Sequence, residues 1–146
     1  MKDLLLHSTC IEISGKAILI SGKPGIGKSS LALQLIDRGA ILVADDQTFV
    51  RLEEGVLMAS PPPSLQGFLE VRGIGICPFP YREQSPLALC VDICEEKGTE
   101  RLPEPTFIEY HGVKVPCLKL TKNDPLGAIK VELSVGSKNN YDSYVK

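Results

Sequence analysis

The sequence predicts an α/β fold built on a mixed sheet with few short helices. Three observations carry that prediction. An uninterrupted apolar run, Ala17–Ile20, passes straight into a glycine-rich stretch and then into helical spacing over Ser29–Arg38. A second apolar run, Ile41–Ala44, follows that helix at once. Beyond it the chain breaks into short apolar segments punctuated by turn residues, and helical spacing returns only after Asp124. Continuous apolar runs bounded by turns suit buried strands, and one strand–loop–helix–strand unit followed by hairpin-like strands suits a mixed architecture.

The elements follow in order. Leu4–Leu6 and Cys10–Ile13 read as a strand pair or one bent strand, with a turn at Ser14-Gly15-Lys16. Ala17–Ile20 has no polar face, so its strand is buried on both sides. In the helix, Leu31, Leu35 and Ile36 give the apolar stripe, and Gly39 stands where a helix ends in the left-handed conformation. Ile41–Ala44 is a second buried strand and ends in Asp45-Asp46. Phe49–Leu52 and Val56–Met58 flank a hairpin turn at Glu53-Glu54-Gly55. Pro61-Pro62-Pro63 stops regular structure. Leu69–Ile76 reads as a short strand broken by Gly73 and Gly75, and Leu87–Ile93 as another apolar strand. Phe107–Tyr110 and Val113–Leu118 flank a second hairpin turn at His111-Gly112. The strands of this half look antiparallel. Asp124 reads as an N-cap with Pro125 at the first helical position. Leu126, Ile129 and Leu133 then supply the spacing, and Gly136 the stop. Residues 1–136 form one expected domain, and 137–146 a polar tail expected to fray.

The 146 residues suit a single domain, and 16 Lys+Arg against 18 Asp+Glu leave a net charge of −2. That balance argues against nucleic-acid binding. No apolar run approaches the ~20 residues of a membrane helix. Met1–His7 is too brief for a secretory leader, so the expected compartment is the cytoplasm. Five cysteines with no C-x-x-C pair read as free thiols packed as small apolar groups under reducing conditions. Cys90 and Cys94 share one strand face about 13 Å apart, too far for a common metal.

Gly22-Lys23-Pro24-Gly25-Ile26-Gly27-Lys28-Ser29 matches G-x-x-x-x-G-K-[ST] in full. Glycines let successive backbone N–H groups curl around phosphate oxygens, and the helix that opens behind them adds its positive end. Lys28 can follow the β- and γ-phosphates, and the Ser29 hydroxyl is a hard oxygen ligand for Mg²⁺. A chance match in a chain of this length has odds of roughly one in two hundred, and its place between a strand and a helix is the context it demands. Asp45 and Asp46 end the next strand, on the side to which the glycine-rich loop opens. One carboxylate can hold a metal through water while the other faces an incoming hydroxyl. Glu70 and Arg72 put a carboxylate and a guanidinium two apart beside glycines, where a ligand can approach closely. His7 and Arg101 carry no local argument of this strength.

Three stretches resemble the catalytic domain of HPr kinase/phosphorylase, the bacterial enzyme acting on a serine of the phosphocarrier protein HPr. They are the glycine-rich loop through Leu33–Gly39, then Leu42–Asp46, then Leu69-Glu70-Val71-Arg72-Gly73-Ile74-Gly75-Ile76. The last resembles the family's own signature and is more selective than the loop. The resemblance implies a phosphate-loop domain like that of phosphoenolpyruvate carboxykinase. It implies an ATP- and Mg²⁺-dependent serine kinase that also runs phosphorolysis, with HPr as partner and a homo-oligomer, often a hexamer, as assembly. By position it implies that Lys28 binds nucleotide phosphates and that Ser29 and Glu70 ligate Mg²⁺. Asp46, beside Asp45, accepts the serine proton, His7 and Arg101 take active-site roles, and Arg72 and Lys122 contact phosphate or substrate. The chain is expected to be a short, catalytic-domain-only form. Ser30 stands where the family usually has Glu, and Lys122 where it has Arg in the stretch linked to phosphorolysis. Lysine cannot make the same bidentate fork to phosphate. The rival readings are a kinase of this loop type with another substrate, and a nucleotide-binding regulatory module without transfer activity.

Overall fold

A computed structural model describes residues 3–95 and 104–136. The first half runs β1 (Leu4–Leu6), β2 (Thr9–Ile13), β3 (Lys16–Ser21), α1 (Lys28–Asp37), β4 (Ile41–Ala44), β5 (Thr48–Glu53) and β6 (Val56–Ser60). After a 3-10 turn at Pro63–Leu65 come β7 (Phe68–Val71), β8 (Gly75–Pro78), β9 (Ser85–Cys94), β10 (Thr106–Tyr110), β11 (Val113–Thr121) and α2 (Gly127–Val135). This is a mixed α/β fold with few helices.

The main sheet has the order β1-β5-β6-β9-β3-β2-β4, with β11 beside β9 and β10 beside β11. The hairpins lie where the sequence puts them. Ser14-Gly15, Glu54-Gly55 and His111-Gly112 each close a two-residue turn with positive φ at both positions, which matches strand twist. Three expectations change. β1 and β2 do not pair with each other: β1 pairs with β5, and β2 lies between β3 and β4. The second half is not all antiparallel, because β9 runs parallel to both β3 and β11. Leu69–Ile76 is not one strand but the body of a separate hairpin, β7–β8, with its tip at Arg72–Ile74. The Ile74 N–H donates to the Val71 carbonyl across that tip (3.0 Å), so the glycines turn the chain instead of merely weakening it.

Two cores explain the apolar runs. Along β3, Ile18 and Ile20 face the helices, while Ala17 and Leu19 face the opposite side. Along β9, Leu89, Val91 and Ile93 face the helices and Cys90 faces away. On the helix side, Leu31 and Leu35 of α1 and Val131 of α2 are buried against the sheet. Each such side chain contributes about 1.5–3 kcal/mol. Both β3 and β4 run antiparallel to β2, so the ends that lead into the glycine-rich loop and into Asp45-Asp46 share one edge of the sheet.

α2 begins at Gly127, two residues later than the Asp124-Pro125 pattern predicts. A turn at Asn123 (φ 61°) leaves Pro125 ahead of the helix, and Asp124 works from that turn. Its carboxylate accepts bonds from Lys130 Nζ (2.6 Å) and the Leu126 N–H (2.9 Å), which hold it below the usual carboxylate range. The sign follows from linkage: these bonds contribute fully above the unfolded value of about 3.9 and are lost as pH falls through the lower folded value. Asp124→Asn is therefore expected to be less stable than wild type at pH 7, with the gap closing below about pH 4. Urea midpoints at pH 7 and pH 3 check it. α2 is also tied to α1 by Arg38, whose Nη2 lies 2.8 Å from the buried Glu132 carboxylate, and to β3 by Lys16 on the Val135 carbonyl.

Candidate active site

The glycine-rich loop leaves β3 and rises into α1. Gly22 packs so closely that a Cβ there would lie 2.7 Å from Ile26 Cγ2 and 3.1 Å from the Ile93 carbonyl oxygen. Only glycine lets the loop sit on the end of β9. The loop folds back through the Ile26 N–H on the Lys23 carbonyl (3.1 Å). Gly27 caps α1 without a side-chain bond, and the first turn holds no acidic residue. The first N–H groups of the helix are thus left for an anion.

Above the loop lies a cleft of about 660 Å³. Pro24 through Ser29 form one wall, Asp45, Asp46, Glu70 and Arg72 the second, and Thr121 to Pro125 the third. Gly22 and Lys23 do not line it; Lys23 points outward, 3.6 Å from Glu95. Glu70 comes from β7, while Arg72 belongs to the hairpin tip beyond the strand, so the two reach the cleft from different elements. Lys122 is held by its N–H on the Cys94 carbonyl (2.7 Å). The His7 imidazole is exposed and off the cleft wall, but its carbonyl accepts a bond from Lys28 Nζ (3.3 Å). Arg101 lies outside the described residues.

The structure separates the two aspartates. Asp45 is committed to three donors: Ser29 Oγ (2.7 Å) and Thr9 Oγ1 (3.1 Å) on Oδ1, and the Glu70 N–H (3.0 Å) on Oδ2. Asp46 has the left-handed backbone at φ 63° and leaves 72% of its side chain exposed, with Oδ1 3.6 Å from Lys28 Nζ. Lys28 itself is buried to 8% exposure. One carboxylate is therefore fixed to the Ser29 hydroxyl at the start of α1, and the other is exposed and paired with a buried ammonium.

The hard oxygens of Ser29, Asp45 and Glu70 suit Mg²⁺. Among the described residues no cluster of three His, Cys, Asp or Glu could cage a metal alone. Three of the thiols are held away from nucleophilic chemistry by burial. Burial and the adjacent Cys117 push Cys90 up to about 12, and burial pushes Cys10 and Cys117 up as well. Such thiols stay protonated and are poor nucleophiles. Sequence reasoning missed Ser8 and Thr9, which fall between the two expected strands Leu4–Leu6 and Cys10–Ile13, and singled out neither Gln34 nor Asn123; only the folded chain brings the last two to the cleft.

The profile of the HPr serine kinase C-terminal domain matches residues 1–121. An HPr kinase/phosphorylase of Clostridium botulinum (strain Eklund 17B / Type B) is 51% identical over 71 residues, 49% of this chain and 23% of that protein. One from Caldicellulosiruptor bescii is 32% identical over 146 aligned positions, 92% of this chain and 47% of that protein. The chain thus spans under half the length of these curated relatives. The solved HPr(Ser) kinase/phosphatase from Coxiella burnetii superposes with a TM-score of 0.81 at 26% identity, covering 91% of this chain and 94% of that one. Among the described residues no helix is long and apolar enough to cross a membrane.

Proposed function

The chain belongs to the HPr serine kinase C-terminal domain family, and from that premise we propose that it transfers the γ-phosphate of ATP to a serine of HPr. The observation that carries the reading is the division of labour between Asp45 and Asp46 in front of the glycine-rich loop. Its fold is then a phosphate-loop domain of the phosphoenolpyruvate carboxykinase kind, and its workplace the cytoplasm.

The nucleotide phosphates would lie against the loop N–H groups and the uncapped start of α1. Ser29, Asp45 through its bond to Ser29, and Glu70 would hold Mg²⁺, which supplies charge neutralisation on the phosphates when bound. Lys28 stabilises charge on the transferred group, and Arg101 joins it by resemblance. Asp46 accepts the proton of the serine hydroxyl as its oxygen bonds to the γ-phosphorus. The bond from that phosphorus to the β–γ bridging oxygen breaks, and ADP leaves. In phosphorolysis an oxygen of inorganic phosphate bonds to the phosphoserine phosphorus, the bond from that phosphorus to the serine oxygen breaks, Asp46 gives its proton to that oxygen, and pyrophosphate is the product. Lys122, in place of a bidentate arginine, makes that reverse reaction the weaker one.

The test is incubation of the full chain with γ-labelled ATP, Mg²⁺ and purified HPr. Label on an HPr serine is the expected result, and its release as pyrophosphate on adding phosphate would extend it to phosphorolysis. Nucleotide binding with no labelled HPr would overturn the substrate assignment and favour another acceptor or a regulatory nucleotide-binding module.

A further inference from the structure

We propose that Thr9 is a positioning residue of this site: its single hydroxyl holds Asp45 and Asp46 in their separate roles. The inference rests on the kinase reading above for its activity arm, and on geometry alone for the rest.

Thr9 is fully buried on β2, in register with Ile20 of β3. On its other side the ladder to β4 slips. Ile11 pairs with Leu42 but Cys10 with Ala44, so Val43 is an extra residue on β4. Such a bulge re-aims the chain that follows it. Just beyond, Asp46 turns into the left-handed region at φ 63°. The Thr9 hydroxyl accepts the Asp46 N–H (3.2 Å) and donates its own proton to Asp45 Oδ1 (3.1 Å). Only a group that is donor and acceptor at once can do both, so valine, of the same shape, can do neither.

The connection extends further. Asp45 passes the constraint to Ser29 Oγ and to the Glu70 N–H. The flanking residues hold other parts of the same site: the His7 carbonyl takes Lys28, and Ser8 Oγ meets Ser21 Oγ (2.8 Å) at the foot of the glycine-rich loop. Residues 7 to 9 therefore tie the loop to the aspartate turn. A buried threonine serving only itself would bond a nearby strand carbonyl, as Thr48 does with the Ser8 carbonyl (2.7 Å). Thr9 instead reaches across to two carboxylate-bearing residues.

The test compares Thr9→Val with Thr9→Ser in the full chain. Loss of alignment at a reacting centre costs up to about 10²-fold. Thr9→Val is therefore expected to lower kcat about 10–100-fold with KM for ATP within about 3-fold of wild type, and Thr9→Ser to restore kcat. Amide exchange at Asp46 is a second readout that needs no substrate. It should quicken in Thr9→Val and return in Thr9→Ser. Thr9→Val with wild-type exchange at Asp46 would overturn the proposal, as would Thr9→Ser as impaired as Thr9→Val at equal thermal stability. If Thr9→Val does not fold, Thr9→Cys replaces it: its thiol is a poor donor, so wild-type kcat in that variant overturns the proposal. Were wild type itself to label no HPr, the kinase reading would fall while Asp46 exchange still decides the role of Thr9.

Discussion

Asp46→Asn is expected to slow phosphate transfer to HPr by about 10²–10⁴-fold and to leave ATP affinity close to wild type. The expectation follows from position. Asp46 is the exposed carboxylate of the pair: its side chain meets Lys28 at 3.6 Å and takes no hydroxyl donor, and its backbone N–H bonds the Thr9 hydroxyl. An amide keeps the shape of the side chain and leaves the backbone N–H bond to the Thr9 hydroxyl in place, but cannot take a proton from serine. Nucleotide binding depends mainly on the loop N–H groups and on Asp45, which the change leaves in place; Lys28 loses a partner at 3.6 Å but keeps its charge and its bond to the His7 carbonyl. Steady-state rates with HPr, alongside a direct ATP-binding titration, check both halves. Full activity in Asp46→Asn would remove it from the role of base. Equal loss of binding and rate would mean that it serves the nucleotide instead.

Lys28→Ala is expected to reduce kcat by about 10²–10³-fold, the usual cost of removing one preorganised charge-stabilising group, and also to weaken ATP binding. The Lys28 stem is buried, and its ammonium sits between the His7 carbonyl and Asp46. It is thus aimed before any phosphate arrives, so little reorganisation is needed at the moment of transfer. Lys28→Arg should not rescue, because a broad planar guanidinium cannot take the place of a buried compact ammonium between the His7 carbonyl and Asp46. Rates and nucleotide affinity measured together would test this. A wild-type rate in Lys28→Ala would show that the loop is a structural turn only.

Much of this was legible along the chain. Apolar runs without a polar face marked β3 and β4, because a strand covered on both sides has no reason to alternate. The hairpin turns were legible because two-residue turns demand particular residues at positive φ. The loop with Lys28 and Ser29 was legible because its residues stand at a fixed motif spacing between an apolar run and a helix, and the aspartate pair because it ends the next apolar run. The parallel pairing of β9 was not. Parallel strands meet through distant segments, and nothing local in Leu87–Ile93 says which neighbour it will find. The β7–β8 hairpin was missed because its glycines were read as weakening one strand, whereas they turn the chain back on itself.

By itself, then, the sequence determined the α/β class, the glycine-rich loop with its lysine and serine, and the presence of two acidic groups at a strand end. These depend on residues close together in the chain, where backbone geometry and side-chain chemistry act over a few positions. Only the tertiary structure decided how each aspartate is held. Asp45 and Asp46 are neighbours with the same side chain and identical local chemistry. What separates them is a bulge in β4, a buried hydroxyl 36 residues away on β2 and a backbone N–H 25 residues away on β7. Hydrogen bonds between segments so far apart form only after the sheet has closed, and it is those bonds that fix one carboxylate and free the other.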